Sequence, residues 1–189
     1  MTAGDNCAVS LRRPIEDDQP PIAGMVDEWF SGRRVRHLVA RAWFRHFAST
    51  SWIADDPRGK PAGFIIGYRS PDHPGEAVIV LVGVHPNCRR RGIGRALVEA
   101  FLTDVHKAGV ATVTALAWPG EPLAVAFFRA VAFRPDDGPG TQNLYGTPGI
   151  PDYDGIGEDR IVFVHRRRTG DGPGGPGDGP GVPERPSVP

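Results

Sequence analysis

Cysteine, surplus charge and long apolar runs are all scarce in this chain of 189 residues. Cys7 and Cys88 are the two cysteines. They are too few and too far apart for a disulfide framework, and no CxxC or Cys/His spacing suggests a metal site. Two reduced thiols in a cytoplasmic protein are expected. Lys+Arg and Asp+Glu number 22 each, so the formal net charge is zero. Nucleic acid, which is usually held by a basic surplus, is not an expected partner. No apolar run approaches the ~20 residues that span a bilayer, so no membrane association is expected. No apolar leader is expected at the N-terminus. Two phosphate motifs are also missing: there is no GxxxxGK[ST], and Gly92 and Gly94 do not extend to a GxGxxG fingerprint.

What remains is the composition of one ordinary globular domain, 40% apolar and 23% charged. That domain is expected over residues 1–168. Residues 169–189 are dominated by Gly and Pro, cannot repay the entropy of ordering, and are expected to be a disordered tail. Within the domain, 8–12 reads as a short strand. Asp17 or Asp18 would cap a helix carrying Ile22, Met25, Val26, Trp29 and Phe30 on one face. A second helix is expected with Val35, Leu38, Val39, Ala42, Trp43, His46 and Phe47 on one side. Residues 51–54 and 62–68 form a hairpin pattern. The run 77–84 is apolar and β-branched, as in a central strand covered on both faces. A third helix follows Gly92, with Ile93, Ala96, Leu97, Ala100, Phe101 and Val105 as its stripe. Strands at 111–117, from 132 and at 160–165, and a helix from Pro122, complete the order β-αα-βββ-α-β-α-ββ, with a long Gly/Pro loop before the last strand. The expected class is α/β (α+β), a mixed sheet flanked by helices.

The chemistry concentrates where the apolar strand turns into the third helix, at Arg89, Arg90, Arg91, Gly92, Ile93 and Gly94. A helix N-terminus offers unpaired N–H groups and a positive dipole end. Gly92 and Gly94 remove Cβ atoms that would keep a diphosphate off the backbone. Arg89, Arg90, Arg91 and Arg95 supply charge-assisted donors. A glycine turn beside a solvated basic face is the competing reading. The strand before and the amphipathic helix after favour phosphate.

Arg89-x-x-Gly92-x-Gly94 resembles the [QR]-x-x-G-x-[GA] signature of the GNAT acetyltransferases, and residues 82–86 are similar to the strand end that precedes it. The likeness runs from about residue 9 to 166. It implies acetyl-CoA as cosubstrate, with the backbone of Val82, Gly83 and Val84 on its pantetheine arm and the N–H groups from Arg90 to Arg95 on its pyrophosphate. It also implies that the central strand parts from strand five here, and that an N–H near Val82 polarises the thioester carbonyl and stabilises the oxyanion. Transfer would then be direct, from thioester to amine.

In many such enzymes the fourth helix carries an Asn near its start and a Tyr seven residues on; here these positions hold Glu121 and Phe128, leaving Phe128 to pack on the cofactor. Glu76 at the strand's mouth is a candidate base, placed by alternation on the face of Val78, Val80 and Val82. Tyr153 and Asp154 in the long loop are further catalytic candidates. Trp29, Arg33 and His37 are candidate acceptor contacts, whereas His46 reads as structural. The likeness implies an N-acetyltransferase acting on a primary amine of a small molecule and a possible homodimer. A peptide acceptor and a non-catalytic acyl-CoA-binding module are the alternatives.

Overall fold

The computed structural model describes residues 9–167; the expected tail at 169–189 and Cys7 lie outside them. In chain order the elements are β1 (Ser10–Arg12), α1 (Gln19–Trp29), α2 (Arg41–His46), β2 (Trp52–Asp55), β3 (Pro61–Arg69), β4 (Glu76–Val84), α3 (Ile93–Lys107), β5 (Thr112–Ala117), α4 (Pro122–Ala130), β6 (Arg134–Pro135), β7 (Gln142–Leu144), β8 (Thr147–Gly149) and β9 (Ile161–Arg166). Seven strands make one mixed sheet in the order β1-β2-β3-β4-β5-β9-β6, and only β4 and β5 are parallel. Their crossover is α3, which is what a parallel pair requires. Among the described residues no helix is long and apolar enough to cross a membrane.

Each sheet face has its own core. Ile93, Leu97, Val98, Phe101 and Val105 of α3 recur at helical spacing and meet Ala77, Ile79, Val113 and Ala115, with Phe128 of α4 and Phe163 of β9 beside them. On the other face, Ile22, Val26 and Trp29 of α1 cover Ile53, Phe64, Ile66 and Leu81. A fully buried Phe such as Phe101 or Phe64 is worth about 1.5–3 kcal/mol. That exceeds any single surface ion pair, so packing fixes where the first turn of α3 stands. Beyond β4 the second face is more open: Thr112, Thr114, Leu116 and Val164 stay half-buried.

Three local expectations are corrected. The second helix breaks into a 3-10 turn at Arg36–Leu38 and the short α2, because Ala40 is extended (φ −74°, ψ 145°). Asp27 accepts from the N–H groups of Val35 and Arg36 and so starts the first turn. The Leu38 and Val39 carbonyls, which a continuous helix would use, accept instead from the side chains of Trp43 and Gln19.

The strand β4 is not covered evenly. Ala77, Ile79, Leu81 and Gly83 are buried, while Val78, Val80, Val82 and Val84 are half-buried. The register with β3 shifts between Ile66↔Leu81 and Gly67↔Ile79, leaving Val80 as an extra residue. Val80 and Leu81 both pack toward α1, and Val82 then joins the α3 side. Val82 therefore does not share a face with Val78 and Val80.

Finally, the loop before the last strand contains the hairpin β7–β8. Tyr145 and Gly146 are both left-handed (φ 51° and 81°), the geometry of a tight two-residue hairpin turn. Asn143 Oδ1 accepts from the Gly146 N–H to close it.

Candidate active site

The strands β4 and β5 pair only from Glu76↔Thr112 to Ile79↔Ala115. Both continue, β4 to Val84 and β5 to Ala117, so the sheet opens into a wedge at their C-terminal ends. His85 N–H donates to Ala62 O across β3, and alternation from there turns the backbone groups of Val82 and Val84 away from β3, toward the wedge.

At the head of the wedge stands the N-terminus of α3. Its own ladder begins with Ala96 N–H donating to Gly92 O, so the N–H groups of Ile93, Gly94 and Arg95 precede it. Gly92 caps the helix in the left-handed region (φ 81°), and a Cβ there would meet nothing within 4 Å. An open, positively polarised turn beside strand backbone with its N–H groups turned outward fits a diphosphate with an extended arm.

The arginines divide by task. Arg89 turns inward: Nε donates to Val84 O at 3.3 Å and Nη2 to Trp29 O at the end of α1. Its charge faces the carbonyl end of that helix. Arg95 Nη2 donates to Ala130 O of α4 at 2.7 Å. Arg90 and Arg91 are exposed at the loop, Arg90 with a left-handed backbone (φ 63°). Arg89 and Arg95 thus each donate to backbone carbonyls of neighbouring segments.

The neighbouring helix α4 presents Phe127 to the loop. Its ring lies 2.9 Å from where a Gly94 Cβ would sit, with Val84 Cγ2 at 3.5 Å. Phe128, the expected cofactor contact, is buried (5% exposed), stacked on Phe163 at 5.0 Å and edge-on to Phe133 at 5.6 Å. It is a core residue.

On the opposite sheet face, Trp118 directly follows β5 and packs against the α1-side core together with Val80. The guanidinium groups of Arg33 and Arg160 lie 4.8 and 5.3 Å from its ring centroid. Arg33 also pairs with Glu121 at 2.7 Å, and Arg160 with Asp154 and Glu158 at 2.8 and 2.9 Å.

Residues 16–133 match the acetyltransferase (GNAT) family. The chain belongs to the GNAT acetyltransferase family. It is 34% identical over 110 residues to an L-2,4-diaminobutyric acid acetyltransferase of Nocardia farcinica, a stretch covering 58% of this chain and 56% of that protein. It is 31% identical over 145 residues to the protein of the same name from Streptomyces coelicolor, covering 73% of this chain and 85% of the relative. The chain thus spans just over half the length of the first relative and most of the second. Among solved structures, a diaminobutyrate acetyltransferase from Paenibacillus lautus in complex with its substrate and coenzyme A is similar in fold, with TM-score 0.61, 21% identity and coverage of 84% and 95%.

Within this GNAT fold the sequence-predicted residues fall into distinct places. Gly83 packs tightly: a Cβ there would meet Phe64 at 2.8 Å and Phe30 at 3.1 Å. Glu76 is exposed at the far end of β4, six residues and about 20 Å from Val82, beyond hydrogen-bond reach of the wedge. Trp29 is 3% exposed and packs against Phe64, so its ring is core. Tyr153 is 45% exposed. His37 is exposed and lines a groove with Gln19, Asp27 and Arg34, none of whose walls belongs to β4 or β5. Arg33 and Asp154, from loops far apart in sequence, do come together through Trp118 and Arg160. Sequence reasoning misses Trp118, Arg160 and Phe127. The available signals are an aromatic residue directly after β5, an arginine directly before β9, and a second aromatic beside Phe128.

Proposed function

We propose that this chain transfers the acetyl group of acetyl-CoA to a primary amine of a small molecule. The observation that carries the reading is the wedge opening beyond Ile79↔Ala115 directly beside the first turn of α3. The names of the diaminobutyrate acetyltransferase relatives support a small acceptor. Acetyl-CoA supplies the acyl group as a thioester. The protein's own part is mainly positional: the loop from Arg90 to Arg95 holds the diphosphate, the wedge edge of β4 holds the arm, and the Val82 N–H polarises the carbonyl.

Residues 77–84 carry no ionisable side chain and position 128 is a buried Phe, so the amine gives up its proton to water in this scheme. Thiol release from acetyl-CoA with a panel of small primary amines tests the activity. Tight acetyl-CoA binding with no thiol release for any amine sinks it. The pH dependence tests the proton path: kcat/KM should rise with pH along the ionisation of each acceptor amine. An inflection shared by amines of different basicity would reveal a protein base instead.

A further inference from the structure

We propose that the Arg33–Glu121 ion pair reads the acceptor, and that it selects amines that also bear a carboxylate. This rests on the acetyl-transfer reading above and adds to it a substrate class and the residues that recognise it.

Position comes first. Arg33 lies just after α1 and Glu121 is the cap residue of α4, 88 residues away in sequence. Their contact therefore bridges the two helices that flank the wedge. Trp118, over which Arg33 lies, packs on the same side as Val80 of β4. The pair thus stands beside the parted strands on the sheet face away from α3, and a substrate approaching from that face meets it.

The two arginines over Trp118 differ in how firmly they are held. Arg160 has a side chain only 12% exposed, gripped by Asp154, Glu158 and the Asp159 carbonyl. Arg33 and Glu121 are 38% and 39% exposed and meet at one 2.7 Å contact. An exposed pair of this kind contributes about 0–1 kcal/mol, so exchanging partners costs little. Arg160 is a fixture, and Arg33 with Glu121 is the exchangeable set.

Charge balance then selects the ligand. A zwitterion can place its carboxylate on Arg33 and its ammonium on Glu121, so that both partners are replaced in kind and no charge is stranded. A plain amine that draws Glu121 away leaves Arg33 unpaired beside Arg160, over the same ring. A plain carboxylate on Arg33 leaves Glu121 unpaired. Either mismatch is penalised as the site dries around the ligand, which is discrimination by an unpaired group.

The test uses matched acceptors that differ only in the carboxylate: L-2,4-diaminobutyrate against 1,3-diaminopropane, ornithine against 1,4-diaminobutane, and lysine against 1,5-diaminopentane. Binding to the full chain in the presence of coenzyme A is measured by calorimetry, with thiol release in parallel, for the wild type, Arg33→Gln and Arg33→Lys. At least one amino acid should bind the wild type about 10–100-fold more tightly than its decarboxylated partner, the worth of a charge-assisted bond. Arg33→Gln should erase that preference with coenzyme A affinity unchanged, and Arg33→Lys should restore part of it.

Equal affinities within every pair, no binding by any of the six compounds, or a preference that survives Arg33→Gln overturns the proposal. So does a loss in which coenzyme A affinity falls equally, since that marks Arg33 as structural. Thiol release with other amines judges the acetyl-transfer reading separately.

Discussion

Gly92 and Gly94 stand at the loop in different surroundings. Gly92 holds a left-handed backbone in open space, whereas Gly94 is helical and faces the Phe127 ring. An L-residue at Gly92 should cost about 1–2 kcal/mol in backbone strain alone. Gly92→Ala should therefore lower the urea midpoint and weaken coenzyme A binding together. At Gly94, alanine gains about 0.5–1 kcal/mol of helix propensity and loses a comparable amount by pushing on Phe127, a net change near zero. Denaturation with and without coenzyme A separates the two. A Gly92→Ala midpoint equal to wild type would show that the turn relaxes freely. At this scale the spacing of the glycines is legible in the sequence, because backbone chemistry depends on residue type. The task of Arg89 is not legible, since an inward or an outward guanidinium reads the same until the end of α1 is in place. Nor is the choice between Phe127 and Phe128, which the register of α4 alone decides.

Elements are tied together most firmly at Arg12. Its guanidinium on β1 makes two 2.7 Å bonds to Asp18 and further bonds to Asp55 on β2, both carboxylates being buried. Burial opposes the charge on Asp18, but the Arg12 bonds, the Ile15 N–H and the arginine's charge together hold its carboxyl below the ordinary value. That stabilisation is present above the unfolded carboxyl range and lost as pH falls below about 4. Arg12→Met leaves two buried carboxylates facing each other and should cost about 2–3 kcal/mol, reduced from the fully buried case because Arg12 is itself partly exposed. Denaturation at pH 7 reads the loss, and a cost below that of a surface pair would show that solvent already screens the cluster. Asp18 reads in the sequence as a helix cap, and the structure spends it on Arg12 instead. Most element boundaries are legible from apolar spacing. The broken second helix and the β7–β8 hairpin are not, because side chains distant in sequence or a two-residue turn decide them.

For the molecule as a whole, one imidazole links stability to mild acid. His165 on β9 lies 5.2 Å from the Phe133 ring and 5.5 Å from that of His106. Burial pushes its pKa below the ordinary imidazole value. The unfolded chain takes up this proton near pH ~6.5 and the folded chain only lower. Stability therefore falls as pH drops through that range, and stops falling once the folded imidazole is protonated too. The melting temperature should decline from pH 7.5 toward 5.5, and His165→Phe, which keeps the ring packing, should flatten the slope. An unchanged slope would place its origin in another group. The window lies above that of Asp18, so one pH series resolves both. The global architecture is the most legible level: an order of strands and helices with one β-branched run admits few mixed sheets. The wedge itself comes from the likeness to a family, because two strands that part look the same in sequence as two that stay paired.

The extra residue at Val80 makes β4 a strand of mixed parity. Before it, odd-numbered residues face α3; after it, even-numbered ones do. Substituting Val80 would only trim a contact. Deleting it would make Ile79 and Leu81 ordinary neighbours and leave Val82 and Val84 on the α3 side. It would also remove the local bend and twist of the bulge at the point where pairing with β5 ends. A one-codon deletion here would straighten the strand at the root of the wedge while keeping its pairing register, a change no substitution at the same position can reproduce.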